Sequence, residues 1–162
     1  ILLINLIHIT MTQLYKSHAK INLFLRVVER RPDGYHNIQS IFQLINLYDE
    51  ISINKRKDNL IKIKCNIKEI EKNNLINTLI DHFLDYTQLQ NIGLDIILKK
   101  NIPIGAGLGG GSSNAATCLM ALNQIYKTKL SANQMKRIAK RTGCDVPFFY
   151  IRRMLGLKEQ EI

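Results

Sequence analysis

A glycine-rich segment, residues 103–113, constrains the fold of this chain more than any other feature. It holds five of the nine glycines. Leu94, Ile96 and Leu98 alternate with other residues just before it, which predicts a strand, and a helix of about residues 112–126 is predicted after it. Glycines leave backbone N–H groups free to converge on an anion, and the positive end of the following helix adds to the attraction. The order of strand, loop and helix predicts a phosphate-binding site.

A glycine loop without a ligand is the alternative, and we consider it the weaker one. Ordering so many glycines between a strand and a helix costs conformational entropy and returns no side-chain packing. Ser112 and Ser113, at the end of the segment, are suited to cap the helix and to face a phosphate group or its magnesium ion.

Two common nucleotide-binding motifs fit the segment poorly. A Walker A loop requires Gly-Lys-Ser/Thr, but Gly111 is followed by serine and the loop contains no lysine, which excludes the P-loop family. Gly105, Gly107 and Gly110 match the G-x-G-x-x-G spacing of dinucleotide-binding folds. Between Gly110 and residue 144 there is no Asp or Glu, so the acid expected about 20 residues after that motif is missing.

The remaining patterns predict an α+β fold in which helices cover a mixed, mostly antiparallel sheet. Strands are predicted over about residues 20–28, 38–45, 50–54 and 60–67, and the alternation in the first indicates one buried face. A turn is predicted at residues 31–34, where Pro and Gly favour chain reversal. Helices are predicted after Asn74, which can serve as N-cap, and after Ser131, which forms a capping box with Gln134 and precedes a helix end near Gly143.

Composition narrows the partners. The formal net charge of +10 is compatible with anionic ligands, but the lysines are spread along the chain and no nucleic-acid-binding motif is present, so no nucleic-acid partner is predicted. The three cysteines lack the spacing of a disulfide framework or a zinc site, so no metal site is predicted and a reducing cytoplasm is favoured.

Residues 1–10 lack the features of a signal peptide and are too short to span a membrane. Because Met11 follows them, we interpret them as an upstream or disordered segment.

Residues 103–116, Pro-Ile-Gly-Ala-Gly-Leu-Gly-Gly-Gly-Ser-Ser-Asn-Ala-Ala, closely resemble the ATP-binding motif of the GHMP kinases. Residues 19–25, 31–36 and 143–149 resemble, in the same order, segments of the branch of that family that acts on 4-diphosphocytidyl-2-C-methyl-D-erythritol. The resemblance covers about residues 17–149. It implies the ATP-binding N-terminal domain of the family over residues 11–149, with an uncommon left-handed β-α-β crossover.

The resemblance also implies an activity. A kinase of this branch transfers the γ-phosphoryl group of ATP, with Mg²⁺, to the 2-hydroxyl of 4-diphosphocytidyl-2-C-methyl-D-erythritol in the non-mevalonate pathway of isoprenoid biosynthesis. Another GHMP kinase, such as a homoserine kinase, is the nearest alternative. Residues 150–162 depart from the family pattern, and members of the family normally continue into a C-terminal domain that completes the substrate cleft. We interpret the chain as lacking that domain, so an inactive fragment is a further alternative.

Residue roles follow from the same resemblance. Asp145 is expected to be the general base, and Lys20 to stabilise charge on the attacking oxygen or to keep Asp145 ionised. Asn22 is two residues after Lys20 and is therefore expected on the same strand face. Asn22, Tyr35 and His36 are expected to bind the acceptor, the last two at its cytosine. Asn74 matches the residue that contacts adenine in the family. The residues expected to bind ATP are Asn74, Pro103, Gly105, Ala106, Gly107, Leu108, Gly109, Gly110, Gly111, Ser112 and Ser113.

Overall fold

The computed structural model describes residues 13–32, 34 and 36–154. Within them the chain forms, in order, the strands and helices β1 (Gln13–Arg30), β2 (His36–Lys55), β3 (Ile61–Cys65), α1 (Lys68–Lys72), α2 (Leu75–Thr87), β4 (Leu94–Lys99), α3 (Gly110–Ile125), α4 (Ala132–Thr142) and α5 (Val146–Met154). No described helix combines the length and the apolar character needed to cross a bilayer.

The strands form one sheet in the order β1-β2-β4-β3. β2 is antiparallel to both β1 and β4, whereas β3 runs parallel to β4. The predicted mixed, mostly antiparallel sheet is therefore confirmed. The parallel pair is joined through α1 and α2, which gives a β-α-β unit whose left-handed crossover remains a prediction.

Helices cover one face of this sheet. Leu94, Ile96 and Leu98 of β4 are buried, while Ile97 between them is 48% exposed. From the helical side, α2 contributes Ile76, Leu79, Ile80 and Phe83, which recur at helical spacing and are buried in the same core. The covering layer also includes α3, whose buried residues run from Ser113 to Leu119 without interruption and continue at Ala121 and Leu122.

The first two strands differ from their predicted form. The predicted strands 38–45 and 50–54 are parts of the single strand β2. The predicted buried face over residues 20–28 is wrong, because Leu23, Leu25 and Val27 are 61%, 51% and 54% exposed. Residues 21–30 pair with residues 36–43, and no described side chain in either stretch is buried. We call these two stretches the β1–β2 ribbon.

One predicted helix feature is confirmed, and one helix was not predicted. The capping box of α4 is confirmed, because the Ser131 hydroxyl accepts from the backbone N–H of Gln134 and the Gln134 side chain accepts from the N–H of Ser131 at 2.8 Å. No helix was predicted for residues 146–154, yet these residues form α5. Tyr150, at the start of the predicted divergent tail, is 4% exposed in the core.

Candidate active site

The glycine segment forms a loop whose backbone requires glycine at alternate positions. Gly105, Gly107 and Gly109 have φ values of 73°, 73° and 71°, in the left-handed region that favours glycine. Helix α3 then begins at Gly110, two residues earlier than predicted, with no side chain capping its first turn. The prediction that Ser112 or Ser113 caps this helix is therefore wrong. Its uncapped N–H groups remain available to an anion held by the loop.

A cavity of about 260 Å³ lies between this loop and the start of α2. One wall consists of residues 70 and 73–76, and the other of residues 103–111 with Lys100 and Asn114. Every residue expected to bind ATP lines the cavity except Ser112 and Ser113. Ser113 is 3% exposed, and its hydroxyl accepts a 2.9 Å hydrogen bond from Ser17 beneath the loop.

Asn74, expected to contact adenine, caps α2. Its Oδ1 accepts from the N–H groups of Ile76 and Asn77 at 2.9 and 3.2 Å, and its Nδ2 donates to the carbonyls of Ile70 and Glu71 at 2.9 and 3.3 Å. An amide side chain offers two acceptor sites and two donors, and all four are in use. A contact with adenine through this side chain would require that one of these bonds be exchanged.

Lys20 lies against the loop where the covered part of β1 ends. Its backbone N–H donates to the carbonyl of Leu108 at 3.0 Å. Its ammonium group donates to Asn22 Oδ1 at 2.7 Å and lies 4.9 Å from the centre of the Phe42 ring. Lys20 is 7% exposed. The structure places Lys20 and Asn22 in direct contact beside the loop.

Asp145 directly precedes α5, and α5 packs beside the same loop. A Cβ atom on Gly109 would lie 2.6 Å from the Phe149 ring and 3.3 Å from Lys20 Cγ, so these three residues meet closely. The neighbouring Phe148 ring lies 4.7 Å from that of Phe42. Asp145 is half-buried, and in the part of the chain that the structure describes its carboxylate makes no hydrogen bond or ion pair.

The predicted acceptor residues lie further along the sheet. His36 is the first residue of β2, is exposed and pairs with Arg30 in the ribbon. It shares a strand face with Phe42, six residues on, which pairs with Asn22. The separation along the strand is about 20 Å. Tyr35 lies outside the described residues.

Sequence reasoning did not predict a set of hydrogen-bonded polar side chains beneath the loop, which we call the polar cluster: Ser17, Asp49, Lys100, Ser113 and Asn114. Of these, Ser113 is expected from the sequence to bind ATP, and not to be buried with the others. Apart from Lys100, whose side chain is 6% exposed, each residue is at most 3% exposed. The cluster joins β1, β2, α3 and the end of β4, which are far apart in sequence. The one usable signal was an asparagine among the small and apolar residues that follow the glycines, since buried polar groups are normally hydrogen-bonded to a partner.

Comparison with known proteins agrees with this fold and this loop. The model of the GHMP kinases N terminal domain matches residues 74–153. The chain has the fold of the N-terminal domain of the GHMP kinases.

The relatives it resembles within that family are 4-diphosphocytidyl-2-C-methyl-D-erythritol kinases. The one from Francisella philomiragia is 48% identical over 136 residues, which is 83% of this chain and 50% of the relative. The one from Prochlorococcus marinus is 44% identical over 82% of this chain and 42% of the relative. A crystal structure of 4-(cytidine 5'-diphospho)-2C-methyl-D-erythritol kinase superposes with a TM-score of 0.74 at 34% identity, over 89% of this chain and 49% of that one. The chain thus spans about half the length of the curated relatives it matches.

Proposed function

We propose that this chain is the ATP-binding half of a 4-diphosphocytidyl-2-C-methyl-D-erythritol kinase, which transfers the γ-phosphoryl group of ATP to the 2-hydroxyl of that acceptor. The observation that carries the proposal is the cavity between the glycine loop and α2, where the uncapped start of α3 meets three left-handed glycines. Backbone N–H groups in this arrangement hold phosphate oxygens without the cost of reorganising water at the moment of reaction.

Phosphoryl transfer depends mainly on positioning and on neutralising charge. The loop amides would hold the phosphates, and the Lys20 ammonium, fixed by Asn22 beside the loop, would stabilise negative charge on the attacking oxygen. Asp145 would accept the proton of the acceptor hydroxyl. Mg²⁺ would arrive with ATP, bound chiefly by phosphate oxygens, and Ser112 at the start of α3 offers a nearby hydroxyl.

The acceptor follows from the relatives' names and from the position of the ribbon. His36 and Asn22 lie on one face of the sheet, at opposite ends of a strip of about 20 Å. That length suits a molecule whose reacting hydroxyl and cytosine are separated by a diphosphate. We propose that Asn22 contacts the diphosphate or hydroxyl end, and that Tyr35 and His36 contact the cytosine.

Nucleotide binding tests the first part of the proposal in this chain alone. Titration calorimetry with the magnesium complex of AMP-PNP is expected to show binding at one site. Asp145→Ala should bind with the affinity of the unaltered chain, because Asp145 acts on the acceptor and not on the nucleotide. Absence of binding by the unaltered chain would refute the assignment of the cavity.

Transfer is best measured in a chimaera that joins this chain to the second half of the Francisella philomiragia relative. We expect phosphorylation of 4-diphosphocytidyl-2-C-methyl-D-erythritol and not of homoserine or mevalonate. Asp145→Ala should lower kcat at least about 100-fold, whereas Asp81→Ala, at an exposed position of α2, should leave it unchanged. A preference for another acceptor would overturn the substrate, and retained turnover would remove Asp145 from the mechanism.

A further inference from the structure

Asp49 is fully buried, and its carboxylate is bonded to both ends of the glycine loop. Its Oδ1 accepts from the backbone N–H groups of Asn101 and Ile102 at 2.7 and 2.8 Å, just before the loop begins. Its Oδ2 accepts from the Lys100 ammonium and, at 2.9 Å, from Asn114 Nδ2 in α3, just after the loop ends. One side chain therefore ties the entry of the loop to its exit.

The side chains that bond to this carboxylate also form hydrogen bonds with one another, in a connected set. The Lys100 ammonium also donates to Asn114 Oδ1 at 3.1 Å, and Asn114 Nδ2 also donates to the Ser17 hydroxyl at 3.0 Å. Ser17 in turn donates to Ser113 in the first turn of α3. Lys100 and Asn114 both line the cavity, so the set connects Asp49 to the walls of the candidate nucleotide site.

A buried ion pair is a poor source of net stability, because desolvation offsets most of the attraction between the charges. A buried pair whose remaining donors and acceptors are also used can instead select one geometry. Here the selected geometry is that of the glycine loop. Its three left-handed glycines could adopt many other conformations if the loop were not held at its ends. Fixing its two ends limits those conformations before any ligand arrives, and such preorganisation raises affinity.

We propose that Asp49 is a positioning residue of the nucleotide site: through Lys100 and Asn114 it fixes both ends of the glycine loop, so that the loop amides and the start of α3 face one point. This inference rests on the proposed function, since it names how the same site is held. Asp49 itself does not touch the nucleotide. Its loss should weaken nucleotide binding by loosening the loop, with little change in the KM for the acceptor.

The test compares Asp49→Asn with Glu50→Gln, because the two neighbouring acids each pair with one of two neighbouring lysines. Glu50 pairs with Lys99 at 3.1 Å on the surface, where the two side chains are 29% and 60% exposed, so its removal should have little effect. In Asp49→Asn one oxygen becomes an NH₂ group, which meets donors in either orientation of the amide: the N–H groups of Asn101 and Ile102, or the side chains of Lys100 and Asn114. Either orientation breaks the links at one end of the loop while the volume stays the same. Asn114→Ala is the second variant. It removes the bond between Asp49 and the start of α3 but leaves the Asp49–Lys100 pair intact, so it should disturb folding less than Asp49→Asn.

Two measurements are made on each variant. The first is hydrogen exchange in the ligand-free protein, comparing amides 101–102 and 113–116 with those of α2. The second is affinity for the magnesium complex of AMP-PNP. For Asp49→Asn we expect faster exchange around the loop but not in α2, and affinity lower by about 10-fold to 100-fold. For Asn114→Ala we expect smaller changes of the same kind, and for Glu50→Gln none.

The outcomes separate positioning from a general contribution to folding. Equal acceleration of exchange in α2 and around the loop would overturn the proposal, and so would unchanged loop exchange in a variant that folds. If Asp49→Asn does not fold, the same criteria apply to Asn114→Ala. If the unaltered chain does not bind AMP-PNP, the proposed function fails, and loop exchange alone decides whether Asp49 holds the loop.

Discussion

The two halves of the β1–β2 pair have the same antiparallel pairing but opposite surroundings. In the covered half, residues 13–20 and 44–55, Ile51 and Ile53 are 0% and 2% exposed. In the β1–β2 ribbon, Leu25, Val27 and Ile41 are 51%, 54% and 58% exposed. The covered half also pairs with β4 through residues 50–55, whereas the ribbon is a two-stranded extension.

The difference shows what an alternating pattern can and cannot indicate. Alternation reports that apolar side chains share a strand face, and this was enough to place the strands. Whether that face is buried depends on what packs against it. The helices of the described chain lie mainly over the covered half, and α5 reaches the ribbon at Phe42, through Phe148. The same pattern therefore has different energetic consequences in the two regions, and the following predictions test that difference.

The largest difference should appear in cysteine reactivity. Cys118 of α3, in the layer over the covered half, is 0% exposed, and burial raises its pKa to about 12. Below that pKa the unreactive thiol predominates, and the reagent has no access until the structure opens. A cysteine introduced by Val27→Cys in the ribbon should react with DTNB at pH 8 at least about 1,000-fold faster than Cys118, because opening a core costs several kcal/mol.

Cys144 provides an internal reference in the same experiment, because it is exposed. It should react at a rate near that of the ribbon cysteine. Full reaction of all thiols in denaturant gives the endpoint. Reaction of Cys118 at the rate of Cys144 in the folded chain would show that the layer over the covered half is loosely packed.

Truncation of apolar side chains should separate the two regions next most clearly. Phe83 of α2 is 0% exposed in the core over the covered half, and Phe83→Ala should lower the free energy of unfolding by about 3–5 kcal/mol. Leu25→Ala in the ribbon should change it by less than about 0.5 kcal/mol. Urea denaturation followed by circular dichroism measures both. A similar loss for the two variants would contradict the comparison.

Sequence patterns predicted the covered half better than the ribbon, and the loop better than its support. The glycine loop was predictable because its residue types are dictated by backbone conformation, as at Gly105 and Gly107. Lys20 and Asn22 were predicted as a pair from their spacing on one strand and from the family resemblance. Both kinds of inference depend on residues close together in sequence.

The polar cluster was not predictable in that way. Asp49 and Asn114 are bonded across 65 positions of sequence, and nothing local distinguishes Asp49 from a surface acid such as Glu50. The helix α5 was missed for a related reason: its short apolar run owes its packing against Gly109 and Phe42 to the tertiary fold. Long-range packing decides such cases, and local patterns do not contain it.

A smaller effect is expected at Gly109, where the covered half meets the ribbon beside Lys20. Gly109→Ala introduces a side chain in the left-handed region and also a contact of 2.6 Å with Phe149. Gly105→Ala carries the same backbone cost, about 1–2 kcal/mol, but its Cβ meets nothing within 4 Å. Gly109→Ala should therefore be less stable than Gly105→Ala by about 1–3 kcal/mol. Thermal unfolding of the two variants checks this, and equal stability would show that α5 moves freely away from the loop.

The smallest effect is expected for Ile41→Lys in the ribbon. Ile41 is 58% exposed and lies opposite Phe24, so a lysine can keep its stem along Phe24 while its charge stays in water. The free energy of unfolding should change by about 0.5 kcal/mol or less, because the substitution loses only part of one cross-strand contact. Ile51→Lys, on the covered half of the same strand, is the matched control and should prevent folding, since a buried ammonium there would have no partner. If Ile41→Lys instead lowered the free energy of unfolding by several kcal/mol at low protein concentration, the ribbon face would have to be covered in solution. The two halves would then not differ in burial, and the contrast between them would fail.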